Sequence, residues 1–558
     1  MKKLTMMDKS FLMGETRETP MHVGGLDLFT LPDGVDEREF LHDLAQNLHT
    51  ADSLLAPFGD RLKMGALGMA GDVYWEPDPS MDMDYHVRHS ALPAPGRYRE
   101  LFNLVSRLHS TLLDRKRPLW ESHLIEGLPN RQFALYEKKH HATMDGMRSI
   151  HIARCLLSND PNHILKESPL SLSTWNAYKA GLPVVEQSAL SEQKLRNVSD
   201  RLKYTFNSSQ NFYDALKTTA KAYLWKAGDL TLPHMRVPRT SLNQKIGGAR
   251  RFVAQSWPFA RIRAVGKAFD GTFNDAVMAM CAGGLRRYLQ LHAELPEHSL
   301  KSLVPISMRA AGDVDTTNAA ATITVDLATN IQDPAKRFQV IKNSVLAGRA
   351  LYEGMSSLEI LLYTSLVNGP GMFMEQLGLT KVPPPTNLVI SNVPGIQEPV
   401  YWNGAKLEGA YPVSIINHGM AINITLVTMD QNVGFGITAC RRSVPKVQRL
   451  IDYMEEALVE LEMAAGLPAW PKQTQAEPEA TTKQKTTSVA KVKPKKASAA
   501  KAKLKSASSA KAKPKRASAA KATPKKASTA KAKLKSAPSS KVKSKKASAA
   551  KTKPKSAT

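Results

Sequence analysis

Two adjacent imidazoles, with a carboxylate and a glycine shortly after them, are the residues here whose types and spacing could do chemistry: His140-His141-Ala142-Thr143-Met144-Asp145-Gly146. The run just before, Phe133-Ala134-Leu135-Tyr136, is aromatic and apolar enough for a strand, and Asp145-Gly146 opens a helical pattern through Ile150, Ile152, Leu156 and Leu157. The histidines therefore fall at a strand end and the carboxylate at a helix start. Such a corner suits a general base held beside a buried ion pair, which is acyl-transfer chemistry. The plainer readings stand beside it. An isolated His-His pair is usually a satisfied core or surface pair, and Asp145 can equally be a helix N-cap.

Other signals fail on their chemistry. Gly434-Phe435-Gly436 imitates a dinucleotide fingerprint but lies in a strand-like hairpin with no helix following at once. There is no Gly-x-Ser-x-Gly nucleophile elbow. His86-x-x-His89 lacks nearby cysteines or paired acids, which argues against a metal site.

The elements that must position the corner alternate between strands and amphipathic helices. A strand over Val23 to Phe29, a helix from Glu37 to Leu48 and a helix from Tyr98 to Leu113 are expected; the last shows Leu101, Leu104, Val105, Leu108 and Leu112 as a core-facing stripe. A polar stretch from Pro183 to about Lys203 reads as a linker. The helix after it, Gln210 to Lys226, ends at Gly228 and sets Phe212, Leu216, Ala220 and Tyr223 along one side, with Lys217, Lys221 and Lys226 elsewhere. It suits either packing across a domain junction with solvated lysines or lying on an anionic membrane. Further strands are expected over Ser302 to Met308, Ala321 to Leu327, Asn387 to Ser391 and the hairpin Met420 to Ala439, closed by a helix from Val444 to Ala465. About 470 ordered residues exceed one core, since single cores stop growing near ~250–300 residues. The expected division is 1–182, a linker region 183–246, 247–470 and a tail 471–558.

Composition misleads until the chain is divided this way. The formal charge of +27 and pI near 9.8 suggest a nucleic-acid binder. Of the 77 basic and 50 acidic residues, however, 27 and 2 lie beyond residue 470, which leaves 50 and 48 in the body, a net of +2. From Lys491 onward a ten-residue Lys/Ala/Pro/Ser repeat carries 24 basic residues and no acid. With almost no apolar side chains it cannot repay the entropy of ordering, so a disordered tail is expected, attracted to anionic lipid or nucleic acid without sequence preference. Three distant cysteines, Cys155, Cys281 and Cys440, exclude a fully paired disulfide framework and suit a reducing compartment. No secretory signal and no apolar run of ~18 residues is found. A cytoplasmic protein, peripheral to the inner membrane and lipid inclusions, is expected.

At the corner the residues meet a resemblance. His-His-x-x-x-Asp-Gly marks the coenzyme A-dependent acyltransferase superfamily. The segments Pro20-Met21-His22-Val23-Gly24, Pro118-Leu119-Trp120, Asn274-Asp275, Val304-Pro305-Ile306-Ser307-Met308-Arg309 and Ser391-Asn392-Val393-Pro394-Gly395 resemble, in order, those of the bacterial wax ester synthase/diacylglycerol acyltransferase family. The resemblance covers essentially residues 1 to 465. It implies an α/β fold of two chloramphenicol acetyltransferase-like domains, with mixed sheets and flanking helices, and an active site in a tunnel at their junction. It makes His141 the general base and His140 its neighbour in catalysis, and sets Asp145, beside Gly146, in a buried ion pair for which Arg309 matches the partner. A neutral imidazole with a pKa near ~6.5 can take an alcohol proton as the oxygen attacks a thioester, an assistance of about 10²–10⁴-fold.

Thr272-x-x-Asp275 before an apolar helix is a capping-box pattern, so Asp275 is expected to be structural. Asn274, an amide donor at that helix N-terminus, suits either stabilisation of negative charge on the thioester oxygen or simple loop ordering. Arg148 stands where a small residue is common in the family, and either contacts coenzyme A phosphate or points to solvent. The implied substrates are long-chain acyl-CoA and a fatty alcohol or diacylglycerol, with no resident cofactor, at a membrane or lipid-droplet surface. The rivals are a short alcohol or an amine as acceptor, and a polyanion- or lipid-inclusion-binding coat protein with a vestigial site.

Overall fold

A computed structural model of the chain describes residues 1–144, 146–182, 210–225, 228–307, 320–356, 359–360, 362–367 and 384–471. The expected linker from 183 to about 203 and the repeat tail lie outside the described residues, which belong to one compact unit, Met1–Gln473. In chain order its elements are β1 (Lys2–Lys3), α1 (Met6–Gly14), β2 (His22–Thr30), α2 (Glu37–His49), β3 (Asp60–Met64), β4 (Val73–Pro77), α3 (Met83–His86), β5 (Val87–Ala91), α4 (Tyr98–His109), β6 (Trp120–Glu126), β7 (Gln132–His140), α5 (Gly146–Leu156) and α6 (Leu172–Ala180). There follow α7 (Gln210–Trp225), β8 (Arg250–Pro258), α8 (Phe259–Ala268), α9 (Phe273–Leu291), β9 (Lys301–Ser307), β10 (Ala320–Asp326), α10 (Pro334–Ala350), β11 (Leu388–Ile396), β12 (Tyr401–Trp402), β13 (Ala405–Val413), β14 (Ile422–Met429), β15 (Asn432–Cys440) and α11 (Arg449–Ala464).

The expected α/β class with mixed sheets is what these elements build. One six-stranded sheet runs β12-β13-β2-β7-β6-β5 and another β10-β9-β11-β14-β15-β8, beside a small β1-β4-β3 sheet. Pairing is antiparallel except for β5 with β6 and for β11 with β9 and β14. In β7 the apolar run Phe133 to Tyr136 is fully buried because both faces are covered. Leu101 and Val105 of α4 pack on Leu26, Leu28 and Tyr136 from one side. Leu41, Leu44, Ile152 and Trp175, from α2, α5 and α6, pack on Phe29, Phe133 and Leu135 from the other. The second sheet is covered by α9, whose residues from Asp275 to Leu285 are all buried, as for a helix that is apolar all round.

Two features stitch the sheets together. β13 comes from the second half of the chain yet pairs with β2, Lys406 opposite Thr30 and Val413 opposite Gly24. Its backbone also passes so close over β15 that a Cβ on Gly434 would sit 1.9 Å from the Ala410 carbonyl, and one on Gly436 1.8 Å from that of Pro412. The glycines that imitated a nucleotide fingerprint are there to let one strand cross another. The second feature is the edge of β8, where Ser106 of α4 and Ser110 just past its end accept from the amides of Phe252 (2.8 Å) and Arg250 (2.9 Å). An edge strand is thereby capped by a helix of the first half.

Three boundaries differ from expectation for local reasons. α4 stops at His109, not Leu113, because the buried Lys138 ammonium takes the carbonyls of Leu108 and Thr111, each at 3.1 Å; Leu112 is then 37% exposed. α11 starts at Arg449, not Val444, since Lys446 has a left-handed backbone with φ of 54°. In α7 the packed face is Phe212, Ala215, Thr219 and Ala222, while Ala220 and Tyr223 are exposed along with Lys217 and Lys221. That face meets Tyr363, Leu351 and Leu230, all of which follow the helix in the chain.

Candidate active site

The histidine corner is cradled by backbone from two of the short motifs. His140 ends β7 opposite His22, and its amide donates to the Leu119 carbonyl at 3.0 Å; the His141 amide donates to that of Met21 at 2.9 Å. Pro118-Leu119-Trp120 and Pro20-Met21-His22 therefore grip the pair from either side. Thr143 closes the turn, with its amide at 2.9 Å and its hydroxyl at 2.7 Å from the His140 carbonyl, and Met144 plugs the core beneath.

The two imidazoles differ in setting. His140 is fully buried. Its Nδ1 accepts from the Ala142 amide at 3.1 Å, so its proton belongs on Nε2, which lies 3.6 Å from Glu15 Oε1. His141 is half-buried and stacks on Phe11 of α1, ring centroids 4.1 Å apart and planes 17° apart. Its Nδ1 is shut off from solvent.

Glu15, just past the end of α1, joins both histidines. Its Oε1 also accepts from the Met21 amide at 3.1 Å, the residue whose carbonyl holds His141. Its Oε2 takes Arg115 Nε at 3.1 Å and Nη2 at 3.0 Å. Burial pushes this carboxyl up, but His140, the Met21 amide and Arg115 together outweigh it and hold Glu15 below its ordinary range. Sequence reading missed Phe11, Glu15 and Arg115. The only local signal was an acid at the end of a short apolar helix, and its partner stands 100 residues away.

Under the corner the β6–β7 layer is polar and buried. Lys138 pairs with Glu121 at 3.0 Å, and His123 approaches the same carboxylate at 3.3 Å. Burial works to raise the Glu121 carboxyl, yet the His123 hydrogen bond and the Lys138 charge bring it to about 2. His109, pushed down to about 3 by burial, bridges the Tyr136 hydroxyl and, through its own carbonyl, His22 Nε2. On the opposite face of β2 and β7, Lys139 pairs with Glu137 at 2.8 Å beside Gly25, which faces open space. Asp27 on that face is raised to about 7, by burial first and by Glu137 second.

The remaining expected residues fall into place unevenly. Asp275 forms a reciprocal capping box with Thr272 at the start of α9. Asn274 beside it accepts from Asn392 Nδ2 at 2.6 Å, which joins the Asn-Asp and Ser-Asn-Val-Pro-Gly segments at one point. Arg148 Nη2 donates to the Ala56 carbonyl at 3.1 Å, and the guanidinium lies 5.9 Å from the Trp175 ring. Gly146 begins α5. Asp145 and Arg309, the expected ion pair, lie outside the described residues. His86 stacks on Trp120 and bonds its carbonyl at 2.7 Å, whereas His89 faces Glu126. All three cysteines are buried and unpaired.

This geometry has known counterparts. Residues 4–277 match the wax ester synthase/diacylglycerol acyltransferase catalytic domain, and residues 316–462 match the WS/DGAT C-terminal domain. A probable diacylglycerol O-acyltransferase, tgs2, of Mycobacterium tuberculosis is 41% identical over 462 residues, 82% of this chain and 98% of its own. The O-acyltransferase WSD of Acinetobacter baylyi is 36% identical over 459 residues, 82% of this chain and 96% of its own. The solved wax ester synthase/diacylglycerol acyltransferase of Marinobacter aquaeolei is 39% identical, with a TM-score of 0.66, over 84% of this chain and all of that one. The first condensation domain of the calcium-dependent antibiotic synthetase shares the fold alone, at 15% identity and a TM-score of 0.53, over 84% of this chain and 98% of its own. With both family domains present in order over a fold of this kind, the chain belongs to the wax ester synthase/diacylglycerol acyltransferase family.

Proposed function

We propose that the protein moves a long-chain acyl group from acyl-CoA to a fatty alcohol or diacylglycerol, with His141 as general base. The observation that carries this is the contrast between the two imidazoles: one locked and fully buried with its proton directed at Glu15, the other half-buried and stacked on Phe11 with its Nδ1 shut off from solvent. Nε2 of His141 takes the hydroxyl proton as the alcohol oxygen bonds to the thioester carbon. The C–S bond then breaks, and the departing thiolate recovers the proton from the imidazolium. No covalent acyl-enzyme is required. Asn274 is the oxyanion donor in this reading: its Oδ1 is occupied by Asn392, so its amide N–H is the group left to offer a developing negative charge. The expected ion pair of Asp145 with Arg309 would brace the corner without touching substrate, and the site would lie in a tunnel between halves divided near 182 and 247.

The substrates are lipids, which supports a cytoplasmic location peripheral to the membrane and lipid inclusions, with the tail adding attraction to anionic surfaces. Nothing favours a coat protein with a vestigial site. The test is thiol release from palmitoyl-CoA against a panel of alcohols and diacylglycerol, with the ester identified. His141→Ala should abolish release while the melting temperature barely moves, because the substitution deletes a base and little packing. Near-wild-type turnover by a folded His141→Ala protein would sink the mechanism.

A further inference from the structure

The body of the protein is close to neutral, yet several cations without a carboxylate in contact stand where α4 meets the start of β8. Burial first, and then the charges of Arg441 and Arg99, hold the Arg251 guanidinium below its ordinary value, and Arg251 donates to Asn103, one helical turn from Arg99. The Arg441 amide binds the Ala249 carbonyl at 3.0 Å. Arg442 beside it reaches the Lys245 carbonyl at 2.8 Å, and Gly248 packs against the backbone of Arg17. Arg17, Arg99, Lys245, Arg441 and Arg442 are exposed. None of these six cations lies within 4.0 Å of a carboxylate among the described residues. Arginines elsewhere do pair, Arg115 with Glu15 and Arg261 with Glu462. Glu18, beside Arg17, is the nearby acid, and it leaves six cations against one carboxylate; like charges so gathered repel one another, an arrangement that makes sense where a ligand brings the negative charge.

The ridge adjoins the catalytic corner. Arg17 is two residues beyond Glu15, at most ~7 Å of chain, and Glu15 approaches His140. Arg250, next to Arg251, donates at 2.6 Å to the carbonyls of Gly247 and Glu18, tying the ridge to the segment that leads into Met21 and so to His141. We propose that this ridge receives the phosphates of the donor's phosphoadenosine diphosphate end, the planar guanidinium forks suiting phosphate oxygens while the pantetheine arm runs in to His141. The assignment rests on the acyl-CoA-dependent reading above and gives that reading a binding site for the part of the substrate remote from the reacting bond.

Arg99→Ala/Arg441→Ala in the full chain tests it, because both side chains are exposed and support no core. Initial rates are measured with palmitoyl-CoA and with the palmitoyl thioester of N-acetylcysteamine, which has the same reacting bond and no phosphate. The variant should raise KM for palmitoyl-CoA roughly tenfold with little change in kcat, as expected for losing charge-assisted phosphate contacts. It should leave kinetics on the phosphate-free thioester alone, and calorimetric binding of free coenzyme A should weaken in parallel. Equal shifts on both thioesters, or none on either, would overturn the assignment. So would an unchanged KM for palmitoyl-CoA accompanied by lost binding to phosphatidylglycerol vesicles, which would make the ridge a bilayer-docking surface. Wild-type protein that releases no thiol from either thioester would instead defeat the acyl-transfer reading itself.

Discussion

One carboxylate reaches both histidines. Glu15 touches His140 directly and His141 through Met21, and α1, which it ends, supplies the Phe11 ring on which His141 stacks. Glu15→Ala should therefore lower kcat more than it raises KM, by about 10²-fold if the base moves by an ångström. It should also cost roughly 1–3 kcal/mol of stability, since Met21 and Arg115 lose a buried acceptor. Glu15→Gln, which keeps an oxygen for the Met21 amide, should recover part of kcat; if Gln and Ala variants match wild type in kcat, Glu15 has no part in positioning. Asp27 carries a separate expectation. Its carboxyl titrates at about 7 in the folded protein, against ~3.9 when unfolded. Between those values the native state holds a proton that the unfolded chain has released, so stability declines as pH rises through that window. Asp27→Asn removes that decline: the variant should melt above wild type at pH 8, and the gap should shrink at pH 5. A variant less stable than wild type at pH 8 would show that the ionised carboxylate is favourable where it stands.

At the scale of elements, the crossing of β13 over β15 has no slack. A methyl at Gly436 would press on the Pro412 carbonyl, a backbone atom that cannot turn aside. Gly436→Ala should lose about 3 kcal/mol, the upper end for overpacking, read as a lower denaturation midpoint. Wild-type stability in that variant would mean that the strands part more easily than their spacing implies. These contacts also explain what was legible in the sequence. The strand ending in His140-His141 and the Thr272–Asp275 box declare themselves within a few residues, through apolar runs and caps. The end of α4 did not, because Lys138, from another strand, takes its last carbonyls. Nor did Glu15 with Arg115, or β13 with β2, whose members are distant in the chain and carry no local periodicity. The short motifs marked the corner, but that Leu119 and Met21 serve it by their carbonyls, and Asn392 by its amide on Asn274, needed the folded backbone.

Across the whole molecule, charge separates two regions: a body with a net of +2 and a segment from Lys491 with 24 cations and no anion. Deleting residues 471 to 558 should leave thiol release on dispersed substrate unchanged, since the repeat supplies neither core nor motif. The same deletion should weaken sedimentation with anionic vesicles or DNA, and binding by the intact chain should decline steeply as salt is added. Loss of activity on dispersed substrate would make the tail part of the enzyme. The reach of β13 also sets an order of events during synthesis. On the side away from β7, Thr30 finds its partner only at Lys406, so that edge of β2 stays open while most of the chain is still being made. Until residues 405 to 413 leave the ribosome, the half that holds the histidines exposes an unpaired strand edge, the surface on which nascent chains stick to one another. The price of a strand shared between halves is a long wait during synthesis with an edge open to other chains.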